Sequence, residues 1–326
     1  MNLTKDIFNI SCEEDFKRIT LNVFKYQFDH NPIYRAFCDL LYRHPSDIKT
    51  LEDIPFLPIS FFKSKAVLTG MNEIEKVFSS SGTTGSITSK HYVSNLELYE
   101  KSFTQAFNRF YGPPEEYVIL GLLPNYLERD NSSLVYMVEH LITKSHHLKS
   151  GFYLYNHQQL NDVLHELENR GKKTLLIGVS FALLDFVEKY PQRLHYTNVM
   201  ETGGMKGKRK ELIRTDLHQI LCNGFGISKI HSEYGMTELM SQAYSKGDGI
   251  YFCPPWMKVL SRETEDPLSI QCSNKTGGLN IIDLANINSC SFIATQDLGK
   301  VHNDGSFEVI GRFDNSDIRG CNLMAF

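Results

Sequence analysis

The chain contains no run of 18 apolar residues, so no segment of it is expected to cross a bilayer as a helix. Its opening residues, MNLTKDIFNISCEEDF, lack the continuous apolar stretch of a secretory leader. Cysteine is scattered: Cys12, Cys38, Cys222, Cys253, Cys272, Cys290 and Cys321 are odd in number and never stand in C-x-x-C spacing. That excludes an obvious disulfide framework or zinc site and favours a reducing, cytoplasmic compartment. Neither sign of charge dominates: 34 Lys and Arg face 38 Asp and Glu, for a net charge of −4. Such a balance gives no reason to expect nucleic acid or an anionic membrane as partner. The lysine-bearing phosphate loop GxxxxGK[ST] and the dinucleotide fingerprint GxGxxG are both missing. With 326 residues and 41% apolar content, the chain can bury a substantial core in one large domain or two subdomains.

The stretch Val77-Phe78-Ser79-Ser80-Ser81-Gly82-Thr83-Thr84-Gly85 is the centre of the functional reading. Val77 and Phe78 read as a strand end, and five hydroxyl side chains follow between Ser79 and Thr84, with Gly82 and Gly85. Little bulk and many free backbone N–H groups are what a backbone cradle for phosphate needs. The bland alternative is a flexible Ser/Gly linker. Lys90 to Ser94 reads as a return strand, making a hairpin, and Asn95 can cap a helix with the stripe Leu96, Tyr99, Phe103, Phe107 and Phe110.

Upstream, residues 13–29 have helical spacing, Asn31-Pro32 interrupts it, and a second helix is expected to about Tyr42. Pro55 and Pro58 bracket an extended apolar segment. Downstream, strands at 117–123, 152–155 and 173–179 alternate with helices at 132–147, 156–170 and 180–190. The fold class expected is therefore α/β, with a mostly parallel sheet flanked by helices. Past Gly249 short alternating runs separated by Gly, Asn and Asp turns give a β-rich subdomain, with Asn303-Asp304-Gly305 as a hairpin turn. The boundaries expected are 1–249 for the α/β part and 250–326 for the β-rich part.

Three further stretches stand out. Glu201-Thr202-Gly203-Gly204-Met205-Lys206-Gly207 follows a strand, and its paired glycines let a flat ring approach the backbone. His231-Ser232-Glu233-Tyr234-Gly235-Met236-Thr237-Glu238 follows a strand expected at Lys229-Ile230, and supplies an aromatic face, a hydroxyl and a carboxylate. Thr295-Gln296-Asp297-Leu298-Gly299 is followed by Ile310-Gly311-Arg312-Phe313-Asp314, which sets a carboxylate and a guanidinium on neighbouring hairpin ends. Each alone is weak: the second could be a tyrosine-anchored turn, DLG a β-turn, and GRFD a surface ion pair. His146, His147 and His157 fit no metal-site spacing and read as helix-end histidines, while His91 and His231 flank the proposed site.

In the order SSGTTG, YGMTE, DLG and GRFD, these motifs resemble the adenylate-forming superfamily. More closely, Phe56-Leu57-Pro58-Ile59-Ser60-Phe61-Phe62, residues 123–129 (LPNYLER), Glu201-Thr202-Gly203-Gly204 and residues 316–323 (SDIRGCNL) resemble the acyl-protein synthetases, the long-chain-fatty-acid luciferin-component ligases. That resemblance implies the superfamily's large N-terminal domain with a β-rich C-terminal subdomain. Only twelve residues follow Asp314, so the superfamily's mobile C-terminal domain is expected to be absent, and Lys90 matches its post-loop lysine only loosely.

The resemblance further implies ATP and Mg²⁺ as cofactors. Ser80, Ser81, Gly82, Thr83, Thr84 and Gly85 would hold the departing pyrophosphate. Thr237 would bond the α-phosphate and Glu238 the Mg²⁺. Tyr234 and the Gly203-Gly204 backbone would face the adenine, and Asp297 the ribose, with Arg312 close by. Cys321 would accept a fatty acyl group as a thioester for delivery to an acyl reductase. The alternatives left open are a ligase acylating coenzyme A or a carrier protein, and a nucleotide-binding subunit without catalysis.

Overall fold

The computed structural model describes residues 3–80, 87–124, 131–203 and 212–313. These divide into two compact units, one of residues 71–254 and one that joins residues 1–70 to 255–326.

In the unit of residues 71–254, a sheet is built in the order Gly151–Phe152, Val118–Leu122, Thr174–Gly178, Thr197–Glu201, His231–Tyr234, Ala243–Ser245. All pairings are parallel except the last. The strands VILGL and TLLIG are buried at every position, as expected of strands covered on both faces. Helices between the strands start where the sequence offers a side-chain acceptor. Asn95 takes the Leu98 N–H at 2.8 Å, Ser132 the Val135 N–H at 3.4 Å, and Asn156 the Gln159 N–H at 3.0 Å. In helix Leu96–Tyr111 the buried face is Leu98, Tyr99, Phe103, Ala106 and Phe107, while Leu96 and Phe110 are only half-buried. Burying each large apolar side chain contributes about 1.5–3 kcal/mol. The apolar stretch 175–186 lies within strand Thr174–Gly178 and helix Ser180–Lys189 and is core.

The other unit contains an antiparallel meander, Met257–Arg262, Thr276–Asp283, Phe292–Val301 and Phe307–Arg312. The expected turn at Asn303-Asp304-Gly305 joins the last two strands, and Asp304 Oδ1 accepts from the Ser306 N–H and hydroxyl. The proline-bracketed segment becomes a strand, Leu57–Pro58, parallel to Ile293–Ala294. Asn31 both ends helix Glu13–His30 and starts helix Pro32–Leu40, its N–H donating to the Gln27 carbonyl and its side chain accepting from Tyr34 N–H at 2.9 Å.

The grouping of residues 3–70 with the C-terminal strands differs from the boundary at 249 read from the sequence. Buried Gln27 is one cause. Its Nε2 donates to the carbonyls of Asn286 and Ile287 at 3.1 and 2.9 Å, and its Oε1 accepts from Ser291 N–H at 2.9 Å. The Tyr34 ring also stacks on Phe292, centroids 5.7 Å apart. No helix among the described residues is long and apolar enough to cross a membrane.

Gly299, the glycine of the DLG motif, is required by packing. It sits at a register shift of strand Phe292–Val301, and a Cβ there would stand 2.2 Å from the Glu308 carbonyl oxygen and 2.9 Å from the Leu279 methyls. Gly299→Ala is expected to destabilise the protein by about 3 kcal/mol, since neither a backbone oxygen nor a buried leucine yields cheaply. Denaturant unfolding checks this; a loss under about 0.5 kcal/mol would contradict it.

Candidate functional site

The segments on either side of the hydroxyl-rich stretch pair as strands. Strands Lys76–Ser79 and Lys90–Val93 pair antiparallel, as the sequence implied. Above them the neck is closed twice: Ser80 N–H donates to the Ser89 carbonyl at 3.0 Å, and Ser89 N–H to Ser80 Oγ at 2.9 Å. Phe78 anchors the hairpin beneath, edge-on to Tyr99 and Tyr136. Ser81, Gly82, Thr83, Thr84 and Gly85 lie outside the described residues, as do Gly204, Lys206, Glu128, Arg129, Asp314 and Cys321.

The return strand carries His91, one of the two histidines read from the sequence as flanking the site, and its distant partner is visible only in the fold. Buried His91 donates from Nδ1 to the Thr237 carbonyl at 2.8 Å, across 146 positions of chain. This bond joins the hydroxyl-rich hairpin to the YGMTE turn and assigns the ring proton to Nδ1.

The strand before the YGMTE motif starts two residues later than expected, at His231–Tyr234, and takes in Tyr234, with Thr237 and Glu238 in the turn beyond it. Strand Thr197–Glu201 runs parallel beside it, with Glu201 opposite Ser232. Gly203 lies just past the carboxyl end of one strand and Tyr234 at the carboxyl end of its neighbour, the end at which open α/β sheets bind ligands. Tyr234 is only 8% exposed and its ring meets Tyr251 edge-on at 5.8 Å. Glu238 is buried at 6% exposure, while Thr237 is half-buried.

Around the Gly203 turn is a buried polar cluster. Glu201 Oε2 accepts from Gly203 N–H at 2.6 Å and Ser180 Oγ at 3.1 Å. Its Oε1 faces His218 Nε2 at 3.5 Å and Arg214 Nε at 3.9 Å. Burial by itself would raise the Glu201 carboxyl, but His218, Arg214, Ser232 and the Gly203 N–H outweigh it and hold the group below its ordinary range. Glu233, on the next strand, goes the other way: burial, then the charge of Glu201, pushes it up to about 8. His231 is driven down to about 4 by burial and by Lys246 and Lys229, and its Nδ1 lies 3.1 Å from the Tyr111 hydroxyl. His146 caps helix Ser133–Ser145 in a left-handed conformation and His157 begins the next, both at helix ends as the sequence implied.

A pH test of this cluster follows from Glu233. Its folded pKa lies above its ordinary 4.5, so the folded state holds a proton that the unfolded state has lost. Stability should therefore fall as pH rises from about 4.5 to about 8. Glu233→Gln should melt progressively higher than wild type across that window. A Tm difference equal at pH 5 and pH 8.5 would contradict the assignment.

In the other unit, Asp297 and Arg312 are register partners on adjacent strands, with Arg312 Nε donating to Asp297 Oδ1 at 2.9 Å. DLG is thus part of a strand, Phe292–Val301, and not a β-turn. The Asp297 side chain is 7% exposed and that of Arg312 76%, so the pair presents a guanidinium to solvent above a shielded carboxylate. Thr295 Oγ1, which donates to the Leu279 carbonyl, accepts from Asp297 N–H at 3.1 Å.

The fold is that of the adenylate-forming enzymes. A solved 2-hydroxyisobutyryl-CoA ligase, in complex with 2-HIB-AMP and CoA, matches 94% of this chain and 70% of its own with a TM-score of 0.67 at 14% identity. ATP-bound MatB from Rhodopseudomonas palustris matches 74% of the chain with a TM-score of 0.56 at 15% identity, and there the match spans only 49% of that longer protein. At the level of sequence, the long-chain-fatty-acid–luciferin-component ligase of Vibrio harveyi is 25% identical over 333 residues, which cover 94% of this chain and 86% of that one. The family model described as acyl-protein synthetase, LuxE, matches residues 3–325, and the chain belongs to that family.

Proposed function

We propose that this protein activates a fatty acid with ATP as acyl-AMP and then carries the acyl group as a thioester on Cys321 for delivery to an acyl reductase. What most supports this reading is the 2.8 Å hydrogen bond from His91 to the Thr237 carbonyl, which ties the phosphate-type hairpin to the YGMTE turn. Family membership and the Vibrio harveyi relative, named for a long-chain fatty acid, support the substrate class.

A carboxylate is a poor electrophile, and its attack on the α-phosphate brings two anions together. Positioning and charge neutralisation must therefore carry most of the catalysis. In this reading a carboxylate oxygen bonds to the α-phosphorus as the bond to pyrophosphate breaks. Ser80 to Gly85 receive the pyrophosphate, and Thr237 donates to the α-phosphate. The Gly203-Gly204 backbone and Tyr234 face the adenine, while Asp297 accepts from the ribose hydroxyls with Arg312 beside it. In the second step the Cys321 thiolate attacks the acyl carbonyl and AMP leaves with the bonding electrons.

Mg²⁺ fits the residues present. Glu238 stands buried at 6% exposure in the turn beyond strand His231–Tyr234, and Mg²⁺ is commonly held by one or two carboxylates together with substrate phosphates. Glu238 is the carboxylate proposed to hold it, and bound there it would neutralise phosphate charge.

The reading is tested by pyrophosphate exchange into ATP over a panel of carboxylic acids, followed by intact-protein mass measurement. Exchange dependent on a fatty acid, with an acyl mass retained on the protein, is the expected result. Exchange with thioester formed only after coenzyme A is added would replace Cys321 as acceptor. Failure to exchange with any acid would overturn acid activation.

A further inference from the structure

Glu201 is a buried, multiply bonded charged group in the described part of the nucleotide-type site, and nothing in the adenylation chemistry above uses it. A carboxylate buried to 3% exposure of its side chain costs free energy unless it is paired and hydrogen-bonded, and Glu201 is both. Its partners come from separate elements, among them Ser232 on the neighbouring strand. Ser180 begins helix Ser180–Lys189, Arg214 and His218 lie in the first turns of helix Arg214–Phe225, and the Gly203 N–H belongs to the turn after Glu201's own strand.

The Gly203 contact is the informative one. Gly203 has φ +73°, a left-handed conformation that other residues adopt only with strain, and a Cβ there would meet no atom within 4 Å. The glycine is therefore needed for its backbone conformation and not to relieve crowding. The short N–H···carboxylate bond, at 2.6 Å, fixes that conformation in place. From the same carboxylate a second line of contacts reaches the aromatic side of the site. Arg214 lies over the Tyr251 ring at 5.1 Å, and Tyr251 meets Tyr234 edge-on at 5.8 Å.

We infer that Glu201 is a positioning residue for the purine half of the nucleotide: it holds the Gly203 turn against which the base lies and, through Arg214 and Tyr251, sets the Tyr234 ring. This rests on the proposed function for the identity of the ligand as an adenine nucleotide. Glu201 touches no reacting atom, so its loss should weaken nucleotide binding and leave the chemical step intact.

The test is Glu201→Gln in the full chain, which keeps the side-chain shape and removes the charge. ATP titration by calorimetry should give a Kd raised about tenfold, the effect of weakening one hydrogen bond to a charged group. In pyrophosphate exchange, KM for ATP should rise by a similar factor. The KM for the fatty acid and kcat at saturating ATP should stay within about twofold, a split that general destabilisation does not produce. Gly203→Ala, which disturbs the same turn from outside the core, should raise the ATP Kd likewise and serves if Glu201→Gln fails to fold. An unchanged ATP Kd in either folded variant, or an equal fall in all kinetic parameters, would overturn the inference. A wild type that binds ATP without exchanging pyrophosphate would sink acid activation and leave the role of Glu201 measurable. A wild type that binds no ATP would overturn both.

Discussion

Cys321→Ser is expected to remove the protein-bound acyl group altogether while pyrophosphate exchange stays within about twofold of wild type. The two half-reactions need different chemistry. Adenylation requires a bound triphosphate and an acid, neither of which involves a thiol. Transfer requires a nucleophile ionised near neutral pH, and a serine hydroxyl without an activating base is not one. Retained acyl mass should fall below about 1% of the wild-type level. Three of the other cysteines, Cys38, Cys222 and Cys290, are poor substitutes, whereas Cys12 and Cys272 are exposed. Burial pushes the thiols of Cys38 and Cys290 up to about 12, and burial also raises Cys222, so these side chains stay protonated. Arg319, two residues before Cys321, supplies a positive charge near the thiol in sequence. Intact mass after incubation with ATP and fatty acid reads the result, and undiminished acyl mass on the serine variant would rule out Cys321 as the acceptor.

Glu238→Gln should reduce pyrophosphate exchange by about 10²–10³-fold, the range seen when one transition-state charge contact is lost. Glutamine keeps nearly the same volume, so the turn that follows strand His231–Tyr234 should retain its shape. That turn is also fixed independently, by the hydrogen bond from Leu239 N–H to the Met236 carbonyl at 3.0 Å and by His91 on the Thr237 carbonyl. Tm should therefore move by only a few degrees. A metal role further requires that the residual activity need more Mg²⁺ for half-saturation than wild type. Equal activity in the two proteins, or loss of activity accompanied by loss of the folded baseline, would remove the carboxylate from the proposed metal contact.

Part of this site was legible because its signals are local. A run of hydroxyl and glycine residues between two short β-prone segments specifies a hairpin within twenty residues, and the hairpin from Lys76 to Val93 is there. Asn95, Ser132 and Asn156 announce helix starts through side chains that reach only three residues ahead. Asp297 and Arg312 could be placed on neighbouring strands because the turn at Asn303-Asp304-Gly305 lies between them, but their direct pairing comes from the register shift at Leu298/Gly299. The position of DLG within a strand was not legible. A short polar motif with glycine has turn-like composition, and only packing against Glu308 and Leu279 accounts for glycine within a strand.

The sequence by itself determined the alternation of strands and helices, the order of the motifs and the residue types able to handle phosphate, adenine and a ribose diol. Those follow from periodicity, capping and side-chain chemistry, each of which acts over a few residues. Tertiary structure alone decided that Gln27 binds residues 286–291, that His91 holds Thr237, and that Glu201 gathers Ser180, Gly203, Arg214 and His218 around one buried charge. Such contacts depend on which distant elements are neighbours. A histidine or glutamate in a strand carries the same local signal whether it ends in solvent or beneath a binding turn, because the partner that distinguishes the two cases is supplied by the fold.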